Sequence, residues 1–127
     1  MSLLPKKIFV ADDDRDILHV LKLMLETEDY IVETTTDANE IFTYKENLPD
    51  LILLDIWMSG IDGREICKRL KQNKLTENIP VVFLSANAQL DEITNKYSAT
   101  DFIAKPFEMK NFLTKIRSIL LAAEEIN

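Results

Sequence analysis

Short apolar runs recur along the chain and predict five β-strands. The most apolar of them, residues 51–54, reads Leu-Ile-Leu-Leu and leads directly into Asp55. A run so short and so uniformly apolar is typical of a strand that is buried on both faces, as in parallel sheets. The predicted strands cover residues 8–11, 30–35, 51–55, 79–84 and 102–104.

Between these strands, apolar residues recur at the spacing of amphipathic helices. We expect Asp14 or Asp16 to cap the first helix, and Thr36 or Asp37 to begin the second, which ends before Asn47. The fourth helix has few apolar residues and is expected to be exposed. The helices are predicted at about residues 14–28, 37–46, 64–73, 89–97 and 107–123.

The alternation of five strands with five helices predicts a single α/β domain over residues 1–127. Right-handed crossovers then give parallel strands that are covered by helices on both faces. We expect a doubly wound sheet with strand order 2-1-3-4-5, which places the carboxyl ends of the first and third strands side by side. Ligands of such sheets bind at that edge, so the residues that follow each strand are the candidates for chemistry.

Composition argues against several classes of function. Lys and Arg number 15 against 22 Asp and Glu, and a net charge of −7 disfavours direct binding to nucleic acid phosphates. No apolar run approaches the ~20 residues needed to cross a bilayer, and no signal peptide is recognisable. Cys67 is the single cysteine, which is typical of a reducing compartment. We therefore expect a cytoplasmic protein without membrane insertion.

Polar residues follow four of the predicted strands. Asp12 and Asp13 follow the first, Asp55 ends the third, Ser85 follows the fourth and Lys105 follows the fifth. Each alone has an ordinary explanation as a helix cap, a turn residue or a surface side chain, but the predicted strand order brings all of them to one edge. Carboxylates at close range repel one another and favour a divalent cation, and oxygen ligands favour Mg²⁺. A cation, an ammonium and a hydroxyl around Asp55 would stabilise a phosphoryl group on its carboxylate.

Four motifs resemble those of one known family. They are Val10-Ala-Asp-Asp-Asp14, Leu53-Leu-Asp-Ile-Trp-Met58 with Asp62-Gly63, Phe83-Leu-Ser-Ala86 and Phe102-Ile-Ala-Lys-Pro-Phe107. In this order and at strand ends, they resemble the response-regulator receiver domains of two-component signal transduction over essentially the whole chain. The resemblance implies the flavodoxin-like receiver fold and a phospho-accepting signalling switch in a phosphorelay.

The resemblance also implies a role for each matched residue. Asp55 would accept a phosphoryl group from a histidine kinase or a histidine phosphotransfer protein. Asp13, Asp55 and the backbone carbonyl of Trp57 would bind Mg²⁺, and Asp12 would orient the ion or bind it through water. Lys105 would pair with Asp55 and then with the phosphoryl oxygens.

Ser85 and Phe102 would form the switch that the resemblance implies. Ser85 would hydrogen-bond the phosphoryl group, and Phe102 would follow it inward, which changes the surface of the fourth helix, fifth strand and fifth helix. The Lys105-Pro106 bond would be cis. Such a domain is not an enzyme, beyond catalysing its own phosphorylation and dephosphorylation. The downstream protein target stays open, as does the choice between a stand-alone protein and an excised domain.

The sequence departs from the common family pattern at several positions. Ser59 stands where the family commonly has Pro, which predicts a less rigid loop after Met58. Phe102 has no hydroxyl, so a switch at this position acts by packing alone. Ser85 replaces the commoner Thr and keeps the hydroxyl donor. None of these departures removes a required chemical group.

Two other classes of protein share some of these residues or this fold. A haloacid-dehalogenase-like phosphohydrolase also has an aspartyl nucleophile, but it needs a second Asp two residues later as general acid, where this chain has Trp57. A flavodoxin-like cofactor binder shares the layout but needs a Ser-, Thr- or Gly-rich phosphate loop after the first strand. The three aspartates at residues 12–14 would repel such a phosphate.

Overall fold

The computed structural model describes residues 4–86, 96 and 99–126. Its central sheet runs in the order β2-β1-β3-β6-β7, and every neighbouring pair is parallel. The two-residue strands β4 and β5 form a separate antiparallel hairpin. With this hairpin set aside, the sheet has the predicted order 2-1-3-4-5, so the fold prediction is confirmed. The strands are β1 Lys7–Ala11, β2 Ile31–Thr35, β3 Leu51–Asp55, β4 Trp57–Met58, β5 Ile61–Asp62, β6 Val81–Ser85 and β7 Asp101–Ala104.

The middle of the sheet is buried on both faces. All five residues of β3 are buried, as the uniformly apolar run predicts. Alternate residues of β3 belong to two different apolar clusters, with Leu51 and Leu53 in one and Ile52 and Leu54 in the other. The two clusters hold the central strand in place from both sides, so the position of Asp55 at its carboxyl end is fixed by packing.

Three α-helices cover the sheet in the described part of the chain: α1 Arg15–Glu26, α2 Gly63–Lys71 and α3 Met109–Ile126. Asp14 is the cap of α1, because its carboxylate accepts hydrogen bonds from the N–H groups of Asp16 and Ile17. Helices α1 and α3 contribute to the same apolar cluster, for instance through Leu21 and Ile116. No helix among the described residues has the length and the apolar composition needed to span a membrane.

The second predicted helix is shorter than expected and is a 3₁₀-helix, Ala38–Thr43. Its two buried residues, Ala38 and Ile41, are three positions apart, which suits three residues per turn. Tyr44 then takes an extended conformation, in which its hydroxyl donates to Glu33 at 2.5 Å and its ring lies perpendicular to that of Phe9. These contacts with β2 and β1 draw the chain away from a helical path.

The fourth predicted helix, at residues 89–97, lies outside the described residues except for Lys96. The described part of the chain therefore contains four helices, three α and one 3₁₀, against the five that were predicted. The prediction for residues 89–97 is not tested.

Gly63 allows α2 to begin directly against the end of β3. A Cβ atom at this position would lie 2.2 Å from the backbone oxygen of Asp55, which is inside any real contact distance. The Gly63 N–H donates to the carbonyl of Ile56 at 2.7 Å. The close approach of these two backbones helps to fix the segment that carries Asp55.

We predict that Gly63→Ala lowers the free energy of unfolding by about 2–3 kcal/mol, because a backbone carbonyl cannot rotate away from the new methyl group. Gly60→Ala is the matched control. It meets open space and is strained only by its φ of +87°, so we expect a smaller cost of about 1 kcal/mol. Urea unfolding of both variants measures the difference, and equal costs would contradict the importance of the close approach.

Candidate functional site

The carboxyl ends of β1 and β3 bring three aspartates together. In the register of these neighbouring strands, Ala11 lies opposite Leu54. Asp12 and Asp55 are the next residues along the chain from this pair. One carboxylate oxygen from each of Asp12, Asp13 and Asp55 can be chosen so that all lie within 4.8 Å of one another. The strand order therefore produces the acidic cluster that the sequence predicted.

The members of the cluster differ in exposure. Asp12 is fully buried and Asp55 is only 8% exposed, whereas Asp13 is exposed. Lys105 reaches the cluster from the end of β7. Its Nζ lies 2.8 Å from Oδ2 of Asp12 and 3.7 Å from Oδ2 of Asp55. The ammonium therefore makes its shorter ion pair with Asp12, and the sequence had indicated only the pair with Asp55.

One ammonium does not neutralise the cluster. The pKa of Asp55 is raised to about 6, first because burial disfavours its charged form and second because the carboxylate of Asp12 repels it. Lys105 and the Trp57 N–H act in the opposite direction but do not cancel the rise. A cation that touched these carboxylates would relieve the repulsion.

Backbone and hydroxyl donors orient each carboxylate. The N–H of Trp57 donates to Oδ1 of Asp55 at 3.3 Å, and the N–H of Asp14 donates to Oδ1 of Asp12 at 3.0 Å. The N–H and the hydroxyl of Ser59 both donate to Oδ2 of Asp13, at 3.1 and 3.0 Å. The loop after β3 is thereby bonded to two of the three aspartates.

The contact from Ser59 was not predicted from the sequence. The sequence predicts only that Ser59, in place of Pro, makes the loop less rigid. The available signal was chemical: Ser has the N–H and the hydroxyl that Pro lacks. The bonds to Asp13 act against the expected loosening, although the rigidity of the loop stays a prediction.

Trp57 lies in the β4–β5 hairpin beside the cluster. The hairpin is anchored by Met58, which is fully buried, while 66% of Trp57 is exposed. The guanidinium of Arg64 lies 5.8 Å from the centre of the indole ring and also bonds both carboxylate oxygens of Asp62. Arg64 therefore supports the exposed indole, and the Trp57 backbone is bonded to Asp55, which makes the indole a fluorescence probe beside the site.

Ser85 and Phe102 lie on the strands that continue the sheet from β3 to its edge. Ser85 ends β6 and follows Leu84, the register partner of Asp55. Its carbonyl accepts a hydrogen bond from the N–H of Lys105 at 2.9 Å, and the Lys105–Pro106 peptide bond is cis, as the resemblance implies. Ser85 and Lys105 are thus joined through the backbone next to Asp55.

Phe102 lies on β7 and packs, partly buried, against the apolar cluster that contains Phe83. Lys115 of α3 contacts the same residue. Its Nζ donates to the carbonyl of Phe102 at 3.1 Å and lies 5.3 Å from the centre of the ring. Phe102 therefore connects the edge strand to the last helix.

The donor set fits Mg²⁺. Carboxylate and carbonyl oxygens are the ligands that this hard ion prefers, and it keeps several of its own waters. Repulsion from Asp12 adds to the effect of burial in raising the pKa of Asp55, and a cation at the cluster would oppose both effects. Asp12, Asp13 and Asp55 thus have the chemistry and the spacing to hold one divalent cation.

Comparisons with known proteins agree with this geometry. The response regulator receiver domain family matches residues 8–117. The phosphate regulon transcriptional regulatory protein PhoB of Rhizobium meliloti is 32% identical over 121 residues, which cover 93% of this chain and 53% of PhoB. The chain spans about half the length of the curated relatives it matches.

Solved structures show the same fold. A CheY-like receiver domain protein from Methanospirillum hungatei has a TM-score of 0.87 at 28% identity, covering 98% of this chain and 100% of its own. The response regulator TrrA of Thermotoga maritima, solved in complex with Mg²⁺-BeF, has a TM-score of 0.78 at 27% identity, covering 89% and 97%. Because the family match extends over most of its length, this chain belongs to the response regulator receiver domain family.

Proposed function

We propose that this receiver domain is a switch in which Asp55 accepts a phosphoryl group from a phosphohistidine of a kinase or a phosphotransfer protein. The observation that carries the proposal is the convergence of three carboxylates within 4.8 Å of one another, with the ammonium of Lys105 against two of them. The proposed setting is the cytoplasm.

The site supports direct transfer to Asp55. A carboxylate oxygen of Asp55 forms the new bond to phosphorus, and the phosphorus–nitrogen bond of the donor breaks with its electron pair returning to the imidazole. Asp13, Asp55 and the Trp57 carbonyl would hold Mg²⁺, with Asp12 orienting it. When bound, Mg²⁺ supplies positive charge that neutralises the phosphoryl oxygens.

Lys105 and Ser85 bind the phosphoryl group once it is attached to Asp55. From its present position 3.7 Å from Asp55, the Lys105 ammonium moves to a phosphoryl oxygen. The hydroxyl of Ser85 donates to another phosphoryl oxygen, and Phe102 follows it inward. The equilibrium between two surface states then shifts at the face that includes β7 and α3, where a downstream protein binds.

A receiver domain is a signalling domain and not a classical enzyme, and we propose that this one catalyses at most its own phosphorylation and dephosphorylation. The phosphohydrolase alternative lacks support, because Trp57 occupies the position of its general acid. A flavin phosphate would meet the repulsion of Asp12 and Asp13. No direct contact with nucleic acid is proposed for this domain.

Removal of charge from the cluster should stabilise the protein when no metal is present. Asp55 binds its proton more tightly in the folded state, so its contribution to stability is present at low pH and is lost as the pH rises through about 6. We predict that Asp55→Asn raises the free energy of unfolding by about 1–3 kcal/mol at pH 7.5 in EDTA, and by little at pH 4.

Urea unfolding at both pH values measures this effect. Asp29→Asn is the matched control, because Asp29 is exposed and its φ of 64° is one that Asn tolerates. We expect added Mg²⁺ to stabilise the wild type and the control but not Asp55→Asn. A less stable Asp55→Asn protein at pH 7.5 in EDTA would disprove the destabilising effect of the charged Asp55 carboxylate.

Beryllofluoride, which mimics an aspartyl phosphoryl group, tests the acceptor. We predict that it changes the fluorescence of Trp57 only when Mg²⁺ is also present. The change should disappear in Asp55→Asn, because no carboxylate oxygen remains to bind beryllium, and persist in Asp29→Asn. Retained binding by Asp55→Asn would remove Asp55 from the mechanism.

Lys105→Met tests the movable charge and keeps the apolar stem of the side chain. We predict beryllofluoride binding that is about 10-fold or more weaker, since a charge-assisted hydrogen bond to the bound group is lost. Amide NMR shifts of β7 and α3 on binding should be much smaller than in the wild type. Lys22→Met, at an exposed lysine of α1, is the control. An unchanged response would exclude Lys105 from signalling.

A further inference from the structure

Ser59 occupies an unusual place in the turn between β4 and β5. It is not a glycine, yet its φ of 35° lies in the left-handed region. Both of its donors point to one atom: the N–H lies 3.1 Å and the hydroxyl oxygen 3.0 Å from Oδ2 of Asp13. A strained, exposed serine that gives both donors to a carboxylate calls for an explanation beyond packing.

The two bonds join loops that are distant in sequence. Ser59 and Asp13 are separated by 46 positions, and Asp13 lies on the exposed loop that follows β1. An exposed aspartate without such partners would rotate freely between several rotamers. The donors of Ser59 restrict Asp13 to one orientation.

The two bonds end on the same carboxylate oxygen of Asp13. A carboxylate has about four positions at which it can accept a bond. Both bonds from Ser59 end on Oδ2 of Asp13, so Oδ1 of Asp13 accepts neither of them and is available to bind a cation. Donation to Asp13 also withdraws part of the negative charge of its carboxylate, which reduces repulsion within the cluster.

The same short loop reaches the other proposed ligands. The N–H of Trp57 donates to Oδ1 of Asp55, and the carbonyl of Trp57 is itself a proposed ligand. The segment from Trp57 to Ser59 thus touches Asp55 at one end and Asp13 at the other. A proline, common at this position in the family, has no N–H and cannot adopt a positive φ.

We propose that Ser59 is a positioning residue for Mg²⁺, which acts by fixing Asp13 with one oxygen free and does not touch the ion. This inference rests on the proposed function, because it takes Asp13 as a ligand. Partners that orient metal ligands typically change metal affinity by 10–100-fold when they are removed. Because Ser59→Ala keeps one of the two donors, we expect the low end of this range, with a dissociation constant for Mg²⁺ about 10-fold higher than in the wild type.

Titration of Trp57 fluorescence with MgCl₂ alone measures this constant without any phosphoryl donor. Ser118→Ala, at an exposed serine of α3, is the matched control and should bind Mg²⁺ as the wild type does. Ser59→Gly is a second variant, because it loses the side chain with its hydroxyl donor but keeps the N–H and adopts the left-handed backbone without strain. It should weaken Mg²⁺ binding in the same direction, even if Ser59→Ala fails to fold.

A double-mutant cycle with Asp13→Ala tests whether Ser59 acts through Asp13. Once Asp13 is gone, Ser59→Ala should cause no further loss of Mg²⁺ affinity, whereas independent effects would add. Unfolding in EDTA provides a second readout, since a purely structural serine would change stability and leave the Mg²⁺ constant unaltered.

The possible failures are distinguishable. If the wild type binds Mg²⁺ and both Ser59 variants bind it equally well, the positioning role is wrong and the proposed function stands. Additive losses in the cycle likewise overturn the role of Asp13 as the intermediary. If the wild type binds no Mg²⁺, both the proposed function and this inference fail.

Discussion

Repulsion among closely spaced carboxylates is the constraint around which this protein is built. Asp12 is fully buried, Asp55 nearly so, and their oxygens lie in one cluster with those of Asp13. Such a cluster disfavours its own charged state, which is why burial and Asp12 raise the pKa of Asp55. It persists because the apolar strands beneath it are packed on both faces and cannot move apart.

The remaining structure around the cluster distributes positive charge and hydrogen-bond donors. Lys105 provides the one ammonium within reach in the described part of the site, and it divides its contacts between Asp12 and Asp55. The N–H groups of Asp14, Trp57 and Ser59 supply partial positive charge at fixed positions. These donors do not replace a cation, but they restrict the orientation of each carboxylate.

The edge of the sheet is well placed to report a change at Asp55. Lys105 is bonded through its backbone to Ser85, and β6 pairs with β7. On β7, Phe102 accepts a hydrogen bond from Lys115 of α3, whose ammonium also lies 3.5 Å from Asp101. Movement of Lys105 toward a phosphoryl group would therefore act on a strand that is connected to the last helix by polar and ring contacts.

The sequence by itself determined the sheet and the membership of the acidic cluster. The apolar run before Asp55 requires burial on both faces, and the alternation of elements then allows few strand orders, so the ends of β1 and β3 meet. That strand order alone predicts that one edge of the sheet carries Asp12, Asp13, Asp55 and Lys105. These features depend on the local periodicity of apolar residues and on the rules of chain connection, and both can be applied to the amino-acid sequence alone.

Only the tertiary structure decided which atoms pair. The ammonium of Lys105 makes its shorter contact with Asp12, across 93 positions of sequence, and both donors of Ser59 meet Asp13 across 46. The 3₁₀-helix ends at Thr43, before the predicted end of the second helix, and the hydroxyl of the next residue, Tyr44, bonds Glu33 on β2. Differences of about an ångström choose between such partners, and those distances are set by the packing of whole elements and not by the order of residues along the chain.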